Sequence, residues 1–174
     1  MKARIATRLP CSEAELWERI IEPESLRFVS APILSFVAPE GRDLPTSWQT
    51  GVPYPLRLRF LGVLPLGRHT IELVRVDERA RRIESRESGL LARTWNHIIV
   101  FREVEPGSVE YTDEIEIRAG LLTPIIWVFA HGFYRHRQRR WRVLLSRTKT
   151  VAGTRSSPEP DPGEGSRTQG TRGS

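Results

Sequence analysis

The chain predicts an α+β domain, an antiparallel sheet of about six to seven strands with one long C-terminal helix packed across it. Three observations carry this. The elements run strand, two short helices, about six strands and one long helix, so strands and helices are segregated rather than interleaved. Residues 56–60 alternate, with Leu56, Leu58 and Phe60 on one face and Arg57 and Arg59 on the other. At 100° per residue, Ile126, Ala130, Phe133, Tyr134, Trp141, Leu144 and Leu145 form one apolar arc over residues 123–147, with Arg137 inside it. A helix with such an arc, arriving after a run of strands, needs a sheet to cover.

Residues 2–8 read as the first strand. Ser12-Glu13-Ala14-Glu15 has capping-box spacing, and the helix it starts carries Leu16, Trp17, Ile20 and Ile21 on one side. Pro23 opens a second short helical piece over residues 24–29. Helices this short do not stand alone and must plug one end of the domain. Strands follow at 33–37, 56–60, 68–77, 82–88, 94–104 and 109–119, with Glu105-Pro106-Gly107-Ser108 as the clearest turn. Thr123 and Pro124 supply an N-cap and a first-turn proline for the long helix. Residues 1–149 thus form one domain. Residues 150–174, rich in Gly, Ser, Pro and Arg, are expected to be a disordered tail.

The formal net charge is +6, but it is unevenly spread. Residues 1–120 hold 17 basic and 18 acidic side chains, residues 121–149 seven basic and none acidic, and the tail three of each. The excess sits on the last helix, where the helix dipole favours cations near the C-terminus. That pattern argues against a nucleic-acid binder, which would spread the patch onto strands or loops. Arg135, Arg139 and Arg142 line the face opposite the apolar arc and offer a peripheral contact to an anionic membrane or nucleic acid. No stretch approaches the ~20 apolar residues of a membrane span. The single Cys11 and the absence of an apolar leader at the N-terminus point to the cytoplasm.

On the strand at 109–119, Val109, Tyr111, Asp113, Ile115 and Ile117 share the inner face, and Glu110, Thr112, Glu114, Glu116 and Arg118 share the outer one. Asp113 therefore faces inward, where an unpaired charge is expensive. Its partner depends on hairpin register. With a loop of three or five residues, Val104 lies opposite Ser108, and Trp95, His97, Ile99 and Phe101 point inward, His97 diagonal to Asp113. With two or four, Asn96, Ile98 and Val100 point inward instead. Arg137 is the other candidate partner. A cluster of His97, Asp113 and Arg137 could orient a ligand or act as acid and base, with His97 and Asp113 as the catalytic candidates. It could equally be a buried network that braces the sheet against the helix.

The element order, together with Gly62-Val63-Leu64-Pro65, the strand at 68–77, Gly89 and Trp95-Asn96-His97-Ile98-Ile99-Val100-Phe101, resembles the START-like (SRPBCC) superfamily. This is the Bet v 1-like helix-grip fold of START domains, pollen allergens and polyketide cyclases, and the resemblance covers residues 2–147. Bacterial ligand-binding members show W-x-H-x-H-x-F, then T-x-x-x-D-x-(V/I)-x-Y on the next strand. Here Tyr111-Thr112-Asp113-Glu114-Ile115 fills the second element, Ile99 stands in place of the second histidine and Ile117 in place of the tyrosine. The resemblance implies a curved sheet gripping the last helix, with an apolar cavity between them for a small hydrophobic or amphipathic ligand such as a lipid or polyketide. Cyclase or dehydratase chemistry occurs in a minority. In that cavity Leu58, Phe60, Trp95, Ile99, Phe101, Tyr111, Ile115, Ala130 and Phe133 would supply apolar walls, and His97, Asp113 and Arg137 polarity.

Neither a cofactor nor a metal is expected. His131 and His136, five residues apart, do not share one helical face, and neither has an acid or Cys nearby. Cys11 precedes a helix start without a histidine partner and reads as a packed residue. Trp48 and Tyr54 could line a pocket mouth. Gly132 implies either a close approach to the helix or a kink.

Overall fold

The computed structural model describes residues 1–39 and 45–154. Among these residues seven strands form one antiparallel sheet in the order β1-β7-β6-β5-β4-β3-β2. They are β1 (Lys2–Leu9), β2 (Leu34–Val37), β3 (Pro53–Phe60), β4 (Leu64–Asp77), β5 (Arg82–Gly89), β6 (Thr94–Glu105) and β7 (Ser108–Arg118). The register shifts between Leu58 and Arg59, between Leu73 and Arg75, and between Glu103 and Glu105. Each shift adds a residue to one strand and bends it, so the sheet curls instead of lying flat. β5 and β6 pair only from Arg82–Val100 to Ser85–His97, and beyond Ser85 the two strands part.

Helices α1 (Glu13–Ile20) and α2 (Pro23–Ser30) connect the two edge strands. The capping box forms as expected: the Glu15 amide donates to the Ser12 hydroxyl at 3.2 Å and the Ser12 amide to the Glu15 carboxylate at 2.8 Å. Leu16 and Trp17 pack into a core shared with Leu9, Cys11, Phe101, Tyr111 and Trp141. The Glu13 carboxylate accepts from the Glu103 amide at 2.7 Å and from Arg81 Nε at 3.0 Å, which pins α1 to the sheet.

Helix α3 (Thr123–Thr154) crosses the concave face. It runs past the expected end at Arg147. The stretch from 150 to Thr154 is therefore helical, and the rest of the expected tail lies outside the described residues. Thr123 is not an N-cap, because it already has helical backbone angles. Its hydroxyl instead closes the preceding turn (Gly120–Leu122), accepting from the Ala119 amide at 2.9 Å and donating to the Gly120 carbonyl at 2.7 Å. Nothing lies within 4 Å of where a side chain at Gly132 would begin, so no neighbour approaches the helix there.

The helix is stitched along β1. Trp127 Nε1 donates to the Lys2 carbonyl (2.8 Å), Gln138 Nε2 to that of Ile5 (2.8 Å), and Arg142 Nε to that of Arg8 (3.3 Å). On the other side, His136 Nε2 donates to the Ala31 carbonyl at 2.8 Å, and Arg140 lies 3.9 Å from the Phe28 ring centroid while donating to the Phe28 carbonyl at 3.2 Å. Its backbone accordingly runs close to β1, β7 and α2, away from the middle of the sheet. A helix that sits over one edge of a curled sheet leaves space over the rest.

Leu16 is fully buried, and α1 closes this end of the domain only while that side chain stays packed. Leu16→Ala is expected to lower stability by ~2–5 kcal/mol and Ser12→Ala by about 1 kcal/mol, measured by urea unfolding. Losses below ~0.5 kcal/mol in both variants would show that α1 is a loose surface segment.

Candidate functional site

The space left beside α3 is a cavity of about 360 Å³. β3 contributes Leu58 and Phe60, β4 contributes Leu66, Ile71 and Leu73, and β6 contributes Trp95, His97 and Ile99. Helix α3 contributes Ile126, Phe129, Phe133, Tyr134, Arg137 and Trp141. Trp48 reaches the lining and Tyr54 stacks edge-on against it, ring centroids 4.9 Å apart. Leu64, Leu90, Leu91 and Ile125 also line the cavity yet are exposed, and they mark its mouth.

Of the residues expected to meet a ligand, Leu58, Phe60, Trp95, His97, Ile99, Phe133 and Arg137 reach this space. Phe101, Tyr111, Asp113, Ile115 and Ala130 do not. The reason is the position of α3. It lies over β1 and β7, so the inward side chains of β7 are sandwiched under the helix: the Tyr111 ring lies 6.4 Å from that of Trp141, and Asp113 bonds Gln138. Phe101 on β6 is covered instead by Trp17 of α1, ring centroids 6.1 Å apart. Strand parity puts a side chain on the concave face without revealing what covers it. Thr112, expected to face water, is buried as well.

His97 and Asp113 do meet, His97 Nε2 to Asp113 Oδ1 at 2.8 Å. His97 is opposite Ile115 and Ile99 opposite Asp113, which gives the diagonal pairing. The route differs from the expected one. The hairpin loop is two residues, Pro106 and Gly107, with Glu105 rather than Val104 opposite Ser108. An extra residue, Val104, then restores the parity that points Trp95, His97, Ile99 and Phe101 inward.

Asp113 is fully buried, and donors from three elements surround it. Besides His97, the Tyr111 hydroxyl donates to Oδ1 at 2.8 Å and Gln138 Nε2 to Oδ2 at 3.0 Å. Burial alone would raise its pKa, but the His97 bond and charge, the nearby Arg137 charge and the Gln138 bond together hold it below the usual carboxylate value. Burial pushes the Tyr111 hydroxyl well above its ordinary range, so it stays a donor.

A second buried carboxylate, Glu87 on β5, escaped the sequence reading. It accepts from His69 Nε2 at 2.9 Å and from the Ser85 hydroxyl at 2.7 Å. Burial is the largest single influence and opposes its charge, but the His69 bond, the charges of His69 and His97 and the Ser85 bond together outweigh it, so its pKa is lowered too. The missed signal was parity, since Ile83, Ser85 and Glu87 share one face of β5, and His69, Ile71 and Leu73 one face of β4. Gly89 opposite His69 is also required: a Cβ there would sit 2.8 Å from His69 Nδ1.

Arg137 is the third charged group. It is 6% exposed, forms no ion pair with Asp113 or any other described residue, and its Nε has no hydrogen-bond partner. Its guanidinium stands 5.1 Å from the Tyr134 ring centroid. Burial disfavours its charge, but the electrostatic influence of Tyr111, Asp113, Tyr134 and Glu87 holds its pKa above the ordinary value. Arg135, Arg139 and Arg142 are exposed on the far face, though Arg142 is engaged with β1 through Arg8 and Thr7. Among the described residues no cluster of His, Cys, Asp and Glu is placed to hold a metal ion.

Because the folded-state pKa values of Asp113 and Glu87 are depressed, their stabilisation is present above the unfolded carboxylate value of ~4 and disappears as pH falls through the folded value. Wild-type stability should therefore fall steeply below about pH 4. Asp113→Asn should lose ~3–5 kcal/mol at neutral pH and show a shallower acid limb, read by urea unfolding across pH. An equally steep limb in the variant would contradict the assignment.

The fold is shared widely. Protein CV1439 from Chromobacterium violaceum superposes with a TM-score of 0.65 at 11% identity, over 82% of this chain and 95% of that one. A START superfamily protein from Mycobacterium smegmatis gives 0.60 at 10% identity, over 84% and 98%. DynU16, from the dynemicin biosynthetic locus, gives 0.54 at 16% identity, over 83% of this chain and 47% of that one. No curated protein matches the chain in sequence. No helix among the described residues is long and apolar enough to cross a membrane. The family described as a domain of unknown function, DUF8410, matches residues 7–145, and this chain, with its START-like helix-grip fold, belongs to it.

Proposed function

We propose that the protein binds a small hydrophobic or amphipathic ligand in the cavity between α3 and the sheet. The observation that carries this reading is an apolar space of about 360 Å³ with an open mouth, inside a domain whose two core clusters are otherwise well packed. That volume falls in the ~300–1,000 Å³ range of small-molecule sites. Protein interiors close voids larger than a methyl group where they can, so a space of this size is kept open against a packing penalty. The lone cysteine, buried beside Leu16, makes the cytoplasm the compartment we assign.

A second reading uses the same cavity. His97 on the wall, bonded to Asp113 at 2.8 Å, would serve as the general base of a cyclase or dehydratase acting on the bound molecule. Turnover of a polyketide substrate that survives His97→Ala would remove that reading and leave binding intact.

Calorimetric titration with decanol, a neutral amphipath, tests binding. Leu58→Trp, which pushes an indole into the cavity, should weaken decanol by tenfold or more while the unfolding midpoint moves little. Native mass spectrometry of protein purified from its own host should show a co-purifying ligand that the variant lacks. If wild type and variant bind decanol alike, or neither binds, the cavity is not a ligand site.

A further inference from the structure

We infer that the cavity's ligand carries an anionic head, a carboxylate in the simplest case, that enters first and pairs with Arg137. This rests on the reading of the cavity as a binding site and adds the chemical class of its occupant. The inference begins from a mismatch between donors and acceptors. Asp113 and Glu87 are the anions of the neighbourhood, and each of their four oxygens already accepts a hydrogen bond from another residue. Tyr111 and His97 occupy Asp113 Oδ1, Gln138 occupies Oδ2, and Ser85 and His69 occupy the two oxygens of Glu87. Their field keeps Arg137 charged without using any of its hydrogens.

Arg137 is left on the wall of an apolar cavity, 6% exposed, with its Nε buried and unpartnered and with no ion pair or hydrogen bond from its guanidinium to a described residue. A guanidinium cannot lose its proton to escape that situation, so its charge persists wherever it is buried. Buried charges are normally paired, and an unpaired one is expensive. The Tyr134 ring, 5.1 Å from the guanidinium carbon, offers a cation–π contact but not a hydrogen bond. A carboxylate in the cavity could take two parallel N–H···O bonds from the guanidinium fork, the geometry in which arginine is strongest.

Orientation follows from position along α3. Ile125 lies at the mouth and Arg137 twelve residues further on, about 18 Å along the helix axis at 1.5 Å per residue. Between them the helix presents Ile126, Phe129 and Phe133 to the cavity. The head would therefore sit at the deep end and the apolar body would run back toward Leu90 and Leu91.

Three probes of equal chain length, decanoate, decanol and decyltrimethylammonium, distinguish charge from apolar burial by calorimetry. The wild-type protein should bind decanoate at least tenfold more tightly than decanol, and the cationic probe most weakly. Arg137→Met should erase the preference for decanoate over decanol. Arg137→Lys, which keeps the charge and loses the fork, should retain part of it. Equal affinities for decanoate and decanol in the wild type, a preference for the cation, or a preference that survives Arg137→Met would each overturn the inference while leaving the binding reading standing. Failure of all three probes to bind would overturn both. The wild-type comparison needs no variant, so it holds even if Arg137→Met does not fold.

Discussion

The structure depends on where the long helix is held. An edge strand presents carbonyls with no neighbouring strand to bond them, and buried backbone groups need partners. Here Trp127 and Arg142 supply donors to the outward-facing carbonyls of Lys2 and Arg8, and Gln138 adds a second donor to the Ile5 carbonyl, which faces β7, so the helix is tied at three points along β1. These bonds are directional, so they fix the helix axis over β1 and β7. Apolar collapse is not directional, and on its own it would draw Phe129, Phe133 and Trp141 down toward the middle of the sheet until the space closed. The bends at the three register shifts work in the same direction, carrying β3 and β4 around the helix instead of up against it.

Gln138 joins that constraint to the polar interior. Its one amide nitrogen donates both to the Ile5 carbonyl and to Asp113, so the rotation of α3 about its axis is set where helix, edge strand and buried carboxylate meet. Residue 137 then lies 100° further around and faces the strands that α3 does not touch. Tyr134 and Trp141, one turn to either side, flank it along the same wall. The placement of a cation in the cavity is thus a geometric consequence of how the neighbouring amide is tied down.

Much of the fold was legible because it rests on local rules. The Ser12–Glu15 capping box, the alternation around Leu58 and the arc containing Phe133 each reflect a period or a cap that a short stretch of sequence states by itself. The His97–Asp113 contact was legible through strand parity, although the bulge residue that produces it, Val104, has no distinctive signal. What could not be read is anything set by the lateral position of α3. Phe101, Tyr111 and Ile115 obey parity and face inward, but whether an inward residue lines a cavity or a packed core depends on what lies above it. Gln138 is a different case. It continues the stripe of Tyr134, Trp141 and Leu145 at helical spacing, and a polar residue on such a stripe is a sign of a buried partner.

The two polar side chains His97 and Arg137 on the cavity wall are suited to different tasks. His97 is held by the buried Asp113 carboxylate at 2.8 Å, and an imidazole is the kind of side chain that can gain and return a proton. Arg137 has no such means, because its guanidinium holds its charge under all ordinary conditions, and what it offers is a fixed set of donors. A pocket with only the first group would favour reaction without dictating how its substrate lies. One with only the second would dictate orientation without any chemistry. Asp113 holds His97 with one oxygen and the α3 amide with the other, so whatever turns α3 enough to move Arg137 also disturbs the histidine. The placement of Arg137 and the orientation of the imidazole are therefore mechanically linked through one carboxylate.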